Sequence, residues 1–152
     1  MAKEKAMSGI IVGVDGSGHS QRALRWAMNE AAIRHVPLTV LTVHEAIRGY
    51  YSSMVTYPDD PDRTEELRKA AQAETDEVLA GLAGPRPDSV TVKAVHGFPV
   101  EELISAGKDA DMIVLGSRGA GGFTRLMMGS VSSQVVLHAH CPVLIVPPED
   151  RS

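Results

Sequence analysis

The chain has 152 residues, of which 43% are hydrophobic and only 4% aromatic, so a single domain with a core of Val, Leu, Ile, Ala and Met is expected. Its formal charge of −4 gives no pull toward nucleic acid or anionic lipid. No apolar run is long enough to span a membrane as a helix, and the lysines of MAKEKAMSG lead into IIVGV and Asp15 rather than a signal-type stretch.

Residues 1–8 read as a disordered leader and 148–152 as a disordered tail, with one domain between them over 9–147. Ile10 to Val14 reads as a first buried strand, closed by Asp15. Gly16 to Ser20 turns the chain, and Ser20 is the expected N-cap of a helix. Leu24, Ala27, Met28, Ala31 and Ala32 fall at helical spacing through about His35, and Pro37 stops the run. Leu38 to Val43, LTVLTV, is apolar and β-branched, as a second buried strand would be.

From His44 to Pro61 no period is sustained, so this stretch reads as a long loop. Tyr50, Tyr51 and Tyr57 would suit a lid over a ligand, or simply an aromatic patch on a crossover. Leu67, Ala71, Thr75, Val78 and Leu82 restore helical spacing until Gly84-Pro85-Arg86-Pro87. Val90, Val92 and Val95 mark a third strand. A short helix follows with Val100, Leu103 and Ile104, and Glu101 and Glu102 suit its first turn. Val143 to Val146 forms a last strand before Pro147-Pro148. Strict alternation of strand and helix calls for a parallel sheet covered on both faces.

The stretch with chemical content is Asp111 to Ser132, DMIVLGSRGAGGFTRLMMGSVS. Met112 to Leu115 is a buried-strand run; Gly116, Gly119, Gly121 and Gly122 follow within seven residues. Gly129-Ser130 then opens a helix on which Val131, Val135 and Val136 are spaced for one face. Strand, glycine loop and helix start is an arrangement in which backbone N–H groups converge on an anion. Two common phosphate motifs are excluded. Gly121 is followed by Gly122 and Phe123 rather than Lys-[Ser/Thr], and Gly119-Ala120-Gly121 lacks the third glycine of a dinucleotide fingerprint.

Asp15, at the carboxyl end of the first strand, is placed to accept from a ribose diol or to cap its own turn. Ser130 can bond a phosphate or cap its helix. His138, His140 and Cys141 do not read as a metal site, since H-x-H on a helix points its rings to nearly opposite sides. No Walker lysine and no nucleophile elbow accompanies the glycine loop. Cys141 is the lone cysteine, which excludes an internal disulfide and fits a reducing compartment, so the cytoplasm is the expected location.

Gly116, Gly119, Gly129 and Ser130 together spell G-x2-G-x9-G-[ST], and residues 12–17 read VGVDGS. In both respects the chain resembles the ATP-binding branch of the universal stress protein family, over residues 9–147. The resemblance implies a single-domain three-layer α/β sandwich of the adenine nucleotide alpha hydrolase-like type, its five-stranded parallel sheet ordered 3-2-1-4-5. It also implies ATP as ligand. The site would be built from Gly13, Val14, Asp15, Val43, Leu115, Gly116, Ser117, Arg118, Gly119, Gly129, Ser130, Val131 and Ser132. Asp15 would lie against the nucleoside and the backbone of Val43 against adenine. Mg²⁺ is a natural companion of a triphosphate. Homodimers through the last strand, Val143, Leu144, Ile145 and Val146, are implied as well. The functional expectation is a nucleotide-dependent stress-response regulator or sensor, with no role for nucleic acid or membrane. The alternatives are a slow ATP hydrolase or nucleotidyl-transfer enzyme, and a binder of another adenine nucleotide such as cyclic AMP.

Overall fold

Five parallel strands form the centre of the molecule. They are β1 (Ile10–Gly13), β2 (Leu38–Glu45), β5 (Val90–Gly97), β6 (Met112–Gly116) and β7 (Val143–Val146). Their spatial order is β5-β2-β1-β6-β7, which among these five strands is 3-2-1-4-5, as expected. The structure, a computed structural model, describes residues 9–50, 53–56, 58–117 and 129–148. Between β2 and the next helix, β3 (Ile47–Tyr50) and β4 (Ser53–Thr56) pair antiparallel as a separate two-stranded ribbon.

Alternation along the strands divides the core in two. Ile10, Val12, Val14, Leu38, Val40 and Val114 point to one face, where α1 (Gly18–Arg34) and α2 (Pro61–Ala80) cover them with Ala23, Leu24, Ala27, Met28, Ala31, Ala71 and Val78. Ile11, Leu41, Ile113 and Leu115 point to the other, where α3 (Pro99–Ala106) supplies Leu103 and α4 (Ser130–His138) supplies Val135. β5 alternates in the same way: Val90 and Val92 pack toward the first core and Val95 toward the second.

Several boundaries differ from expectation. Ser17, not Ser20, is the N-cap of α1; its side chain accepts from the Ser20 N–H at 3.2 Å, and Ser20 is buried inside the helix. β2 runs two residues past Val43 because its pairing with β5 continues through His44↔His96 and Glu45↔Gly97. The two imidazoles meet edge to face with centroids 5.0 Å apart, and His44 Nδ1 lies 3.0 Å from Thr64 Oγ1 on α2. The presumed loop from His44 to Pro61 thus holds the end of β2 and the whole β3–β4 ribbon. α2 starts at Pro61, where Asp60 accepts from the Asp62 and Arg63 N–H groups and proline needs no donor. It ends at Ala80, a turn before Gly84, because Gly81 caps it and Arg86 returns to donate to the Leu79 carbonyl at 2.7 Å. On α4, Val135 is fully buried but Val136 is 46% exposed, so the two do not share a face. Among the described residues no helix is long and apolar enough to cross a membrane.

Candidate functional site

In this sheet β1 and β6 are parallel neighbours, paired Ile10↔Met112 to Val12↔Val114. The chain leaves β1 for α1 on one face and reaches α4 from β6 on the other. Diverging connections open a crevice outside the carboxyl ends of the two strands, where α/β sheets bind ligands. Gly13, Val14, Asp15, Leu115, Gly116 and Ser117 lie at this point.

Their side chains differ in burial and in what holds them. Val14 and Leu115 are buried in the two cores. A Cβ on Gly13 would stand 2.7 Å from Leu115 Cδ2 and 3.1 Å from Leu103, so glycine there answers to packing. Asp15 is exposed, and its Oδ1 accepts from the Ser17 N–H at 2.9 Å. The turn-capping role therefore exists in the structure and occupies one carboxylate oxygen. Gly16, with φ of +83°, allows this turn. Ser20, which the sequence reading placed only as a cap, accepts from the Asp15 N–H at 3.3 Å and donates to the Ser17 carbonyl at 3.0 Å, fixing the strand end to α1.

Val43 stands past the end of β1. The Leu41 carbonyl accepts from the Val14 N–H at 2.9 Å, so residue 41 turns its backbone toward β1. Alternate residues of a parallel strand direct their backbone groups to the same side. Val43 therefore faces the same way, beyond the last residue of β1, while Thr42 and His44 face β5.

On the other wall, three hydrogen bonds set the entry to α4. The Ser117 N–H donates to the Val146 carbonyl at 3.0 Å, extending the β6–β7 ladder. The Gly129 N–H donates to the Ser117 carbonyl at 2.7 Å, bringing the two flanks of the glycine stretch together. The buried Ser132 hydroxyl donates to the Gly116 carbonyl at 2.7 Å. The first helical bond runs from the Ser133 N–H to the Gly129 carbonyl. That leaves the N–H groups of Ser130, Val131 and Ser132 without an acceptor among the described residues, at the positive end of a helix. Gly129 is the N-cap and makes no side-chain cap bond, so Ser130 does not cap the helix as one reading of it had allowed. Arg118 and Gly119 lie outside the described residues, as do Tyr51, Tyr57 and Arg125.

One acidic residue here carried no sequence signal. Glu74, half-buried on α2, has its carboxyl pushed above the usual range by burial, then by the nearby charges of Asp15 and Glu77. The Cys141 thiol is likewise pushed up, mainly by burial, and stays protonated at neutral pH. Among the described residues no three His, Cys, Asp or Glu side chains are grouped to hold a metal.

A family model for the universal stress proteins matches residues 7–147. The chain belongs to the universal stress protein family. The universal stress protein Rv2005c of Mycobacterium tuberculosis (strain ATCC 25618 / H37Rv) is 34% identical over 152 residues, covering 99% of this chain and 51% of that protein. The chain spans about half the length of the curated relatives it matches. Among solved structures, the universal stress protein UspA from Lactobacillus plantarum is 26% identical with a TM-score of 0.64, covering 93% of this chain and 99% of that one. The universal stress protein from Archaeoglobus fulgidus in complex with dAMP is 28% identical with a TM-score of 0.57, covering 93% and 98%.

Proposed function

We propose that this universal stress protein binds ATP in the crevice between β1 and β6 and serves as a nucleotide-dependent regulator of a stress response in the cytoplasm. The observation that carries the proposal is the first turn of α4. Three neighbouring N–H donors beside Gly116, on Ser130, Val131 and Ser132, have no acceptor among the described residues, and a phosphate would take them up. The Ser130 hydroxyl, exposed and not used as a cap, adds a fourth donor. Opposite them, the outward backbone edge of Val43 suits adenine, and the exposed Asp15 carboxylate suits the ribose. The dAMP held by the Archaeoglobus relative supports adenine as the base. Arg118 and Gly119 complete the phosphate loop by sequence, and Mg²⁺ would accompany the triphosphate.

Binding rather than turnover is the favoured role. Backbone donors that hold ground and transition states equally well do not accelerate cleavage. Among the described residues around α4's first turn, Gly116, Ser117 and Gly129 to Ser132, none has a side chain of a kind that serves as a general base. Calorimetric titration with ATP, dAMP and cyclic AMP, with Mg²⁺ and with EDTA, tests the assignment. Saturable ATP binding with turnover far below the roughly 1–10³ s⁻¹ of dedicated enzymes is expected. No binding of any adenine nucleotide overturns the site. Tighter binding of cyclic AMP than ATP reassigns the ligand. Turnover of several per second, abolished by one loop substitution that spares affinity, would establish the hydrolase instead.

A further inference from the structure

Away from the crevice, the outer side of α1 carries a half-open groove of about 310 Å³ lined by Gly18, Gln21, Arg22, Arg25, Trp26 and Asn29. Two features mark it. First, among the described residues its arginines pair with no acid. Arg34, Arg63 and Arg68 each pair with a glutamate three or four residues away on their own helix. Arg22 and Arg25 have glycine, histidine, glutamine, asparagine, methionine, tryptophan and each other at those positions, and among the described residues neither forms a salt bridge. This occurs in a chain with 19 acidic against 15 basic residues, where acid is plentiful. Like charges three apart on a helix repel, and among the described residues no salt bridge offsets this.

Second, the Arg22 Nε–H is shut off from solvent and lacks a hydrogen-bond acceptor among the described residues. A buried donor without a partner is costly, more so on a charged group. The guanidinium fork is built for an oxygen anion. Beside it Trp26, 47% exposed, offers a flat apolar surface to whatever brings that anion.

We propose that this groove is a docking site for an acidic segment of a partner protein, a short extended stretch of Asp or Glu with one apolar side chain. Charge complementarity selects acid. Length selects a segment over a compact ion: from Gly18 to Asn29 the lining runs about 16 Å along the helix at ~1.5 Å per residue, the span of about five extended residues. In the bound state one carboxylate meets the outer Nη–H groups of Arg22, a second meets Arg25, and the apolar side chain lies on Trp26. The groove uses none of the groups assigned to the nucleotide, so the proposal stands or falls independently of that one.

Trp26 is the single tryptophan of the chain and therefore reports binding by its own fluorescence. The purified chain is titrated with a capped pentapeptide of four glutamates around a central leucine, with the same peptide carrying lysines, and with inorganic phosphate. A saturable change with the acidic peptide alone is expected, weakened at least about tenfold by Arg22→Gln with Arg25→Gln and unaltered by Arg34→Gln. Should the double glutamine variant lose helix by circular dichroism, Arg22→Lys with Arg25→Lys keeps the charge without the fork and must still bind more weakly. No saturable change with the acidic peptide, or equal affinity in the substituted chains, overturns the proposal. Phosphate producing the same change over the same concentrations overturns it in favour of a small-anion site.

Discussion

The Ser132 hydroxyl and the Gly116 carbonyl, sixteen residues apart in sequence, share a buried 2.7 Å hydrogen bond. It ties the last residue of β6 to the first turn of α4, where the proposed phosphate site lies. Ser132 had been expected at the phosphate cradle. Its hydroxyl is taken up by the Gly116 carbonyl, while its N–H has no acceptor among the described residues.

Ser132→Ala removes that donor and strands the Gly116 carbonyl. A buried acceptor left unsatisfied costs about 1–3 kcal/mol. Urea unfolding should show a loss in that range with an unchanged slope. Calorimetry should also show weaker ATP binding, because the open N–H groups lose their fixed aim. Full stability in the alanine variant would mean that the bond contributes nothing.

How far the fold could be read from the sequence depended on burial. Ile10 to Val14 and Met112 to Leu115 are largely buried, so their apolar runs announce them, and α1 buries all five residues expected from its spacing, with Ser20 and Ala23 beside them. The β3–β4 ribbon pairs only with itself, outside the five-stranded sheet, and had no such imprint. The cap was misplaced because Ser17 and Ser20 are both good N-cap residues, and only the geometry at Asp15 chooses between them. At the candidate site, the placement of Asp15 just past β1, and of Gly116 and Gly129 between β6 and α4, was legible from strand-end position and spacing. Glu74 was not, since its approach to Asp15 arises from the packing of α2 beside α1. Nor could spacing reveal that Gly13 makes room for Leu115.

Asp15 caps its own turn, and one substitution can separate that role from the ribose contact proposed for it. Asp15→Asn keeps the Oδ1 that accepts from Ser17, so the turn and the fold should survive. It removes the charge that would strengthen a bond to ribose hydroxyls. Such a bond contributes roughly 1.5–3 kcal/mol, so ATP should bind about ten- to a hundredfold more weakly. Wild type should lose a comparable amount with whichever of 2′-deoxy- and 3′-deoxy-ATP lacks the hydroxyl held. Unchanged affinity in Asp15→Asn would confine Asp15 to the turn.

Glu74 makes stability depend on pH. Its folded-state pKa is raised by burial and by Asp15 and Glu77, above the value of about 4.5 that an unperturbed glutamate takes. Below that value the carboxyl is protonated in both states. As pH rises from there through the folded pKa, the unfolded chain releases its proton first, and stability is lost. Glu74→Gln removes this loss, so it should raise the melting temperature at pH 7 and change it little at pH 4. An equal shift at both pH values would point to packing rather than charge.

The last strand bears on assembly. β7 closes one edge of the sheet, and its Val143, Leu144 and Ile145 are only half-buried. An unpaired apolar edge invites a strand from another chain, and a twofold-related copy of the same strand is the simplest partner. Val136 and Leu137, exposed to 46% and 72% on α4 next to that edge, have the apolar surface such a contact would cover. A homodimer through β7 is therefore the expected state in solution, twice the chain mass by light scattering. Val136→Glu with Leu137→Glu places four carboxylates in the interface by symmetry and leaves the core untouched. It should weaken dimerisation at least about tenfold, a change of ~1.4 kcal/mol or more, while the monomer keeps its circular dichroism spectrum. A wild-type monomer at micromolar concentration would remove β7 as an interface. A doubly substituted chain that stays fully dimeric would keep the dimer but move the contact away from α4.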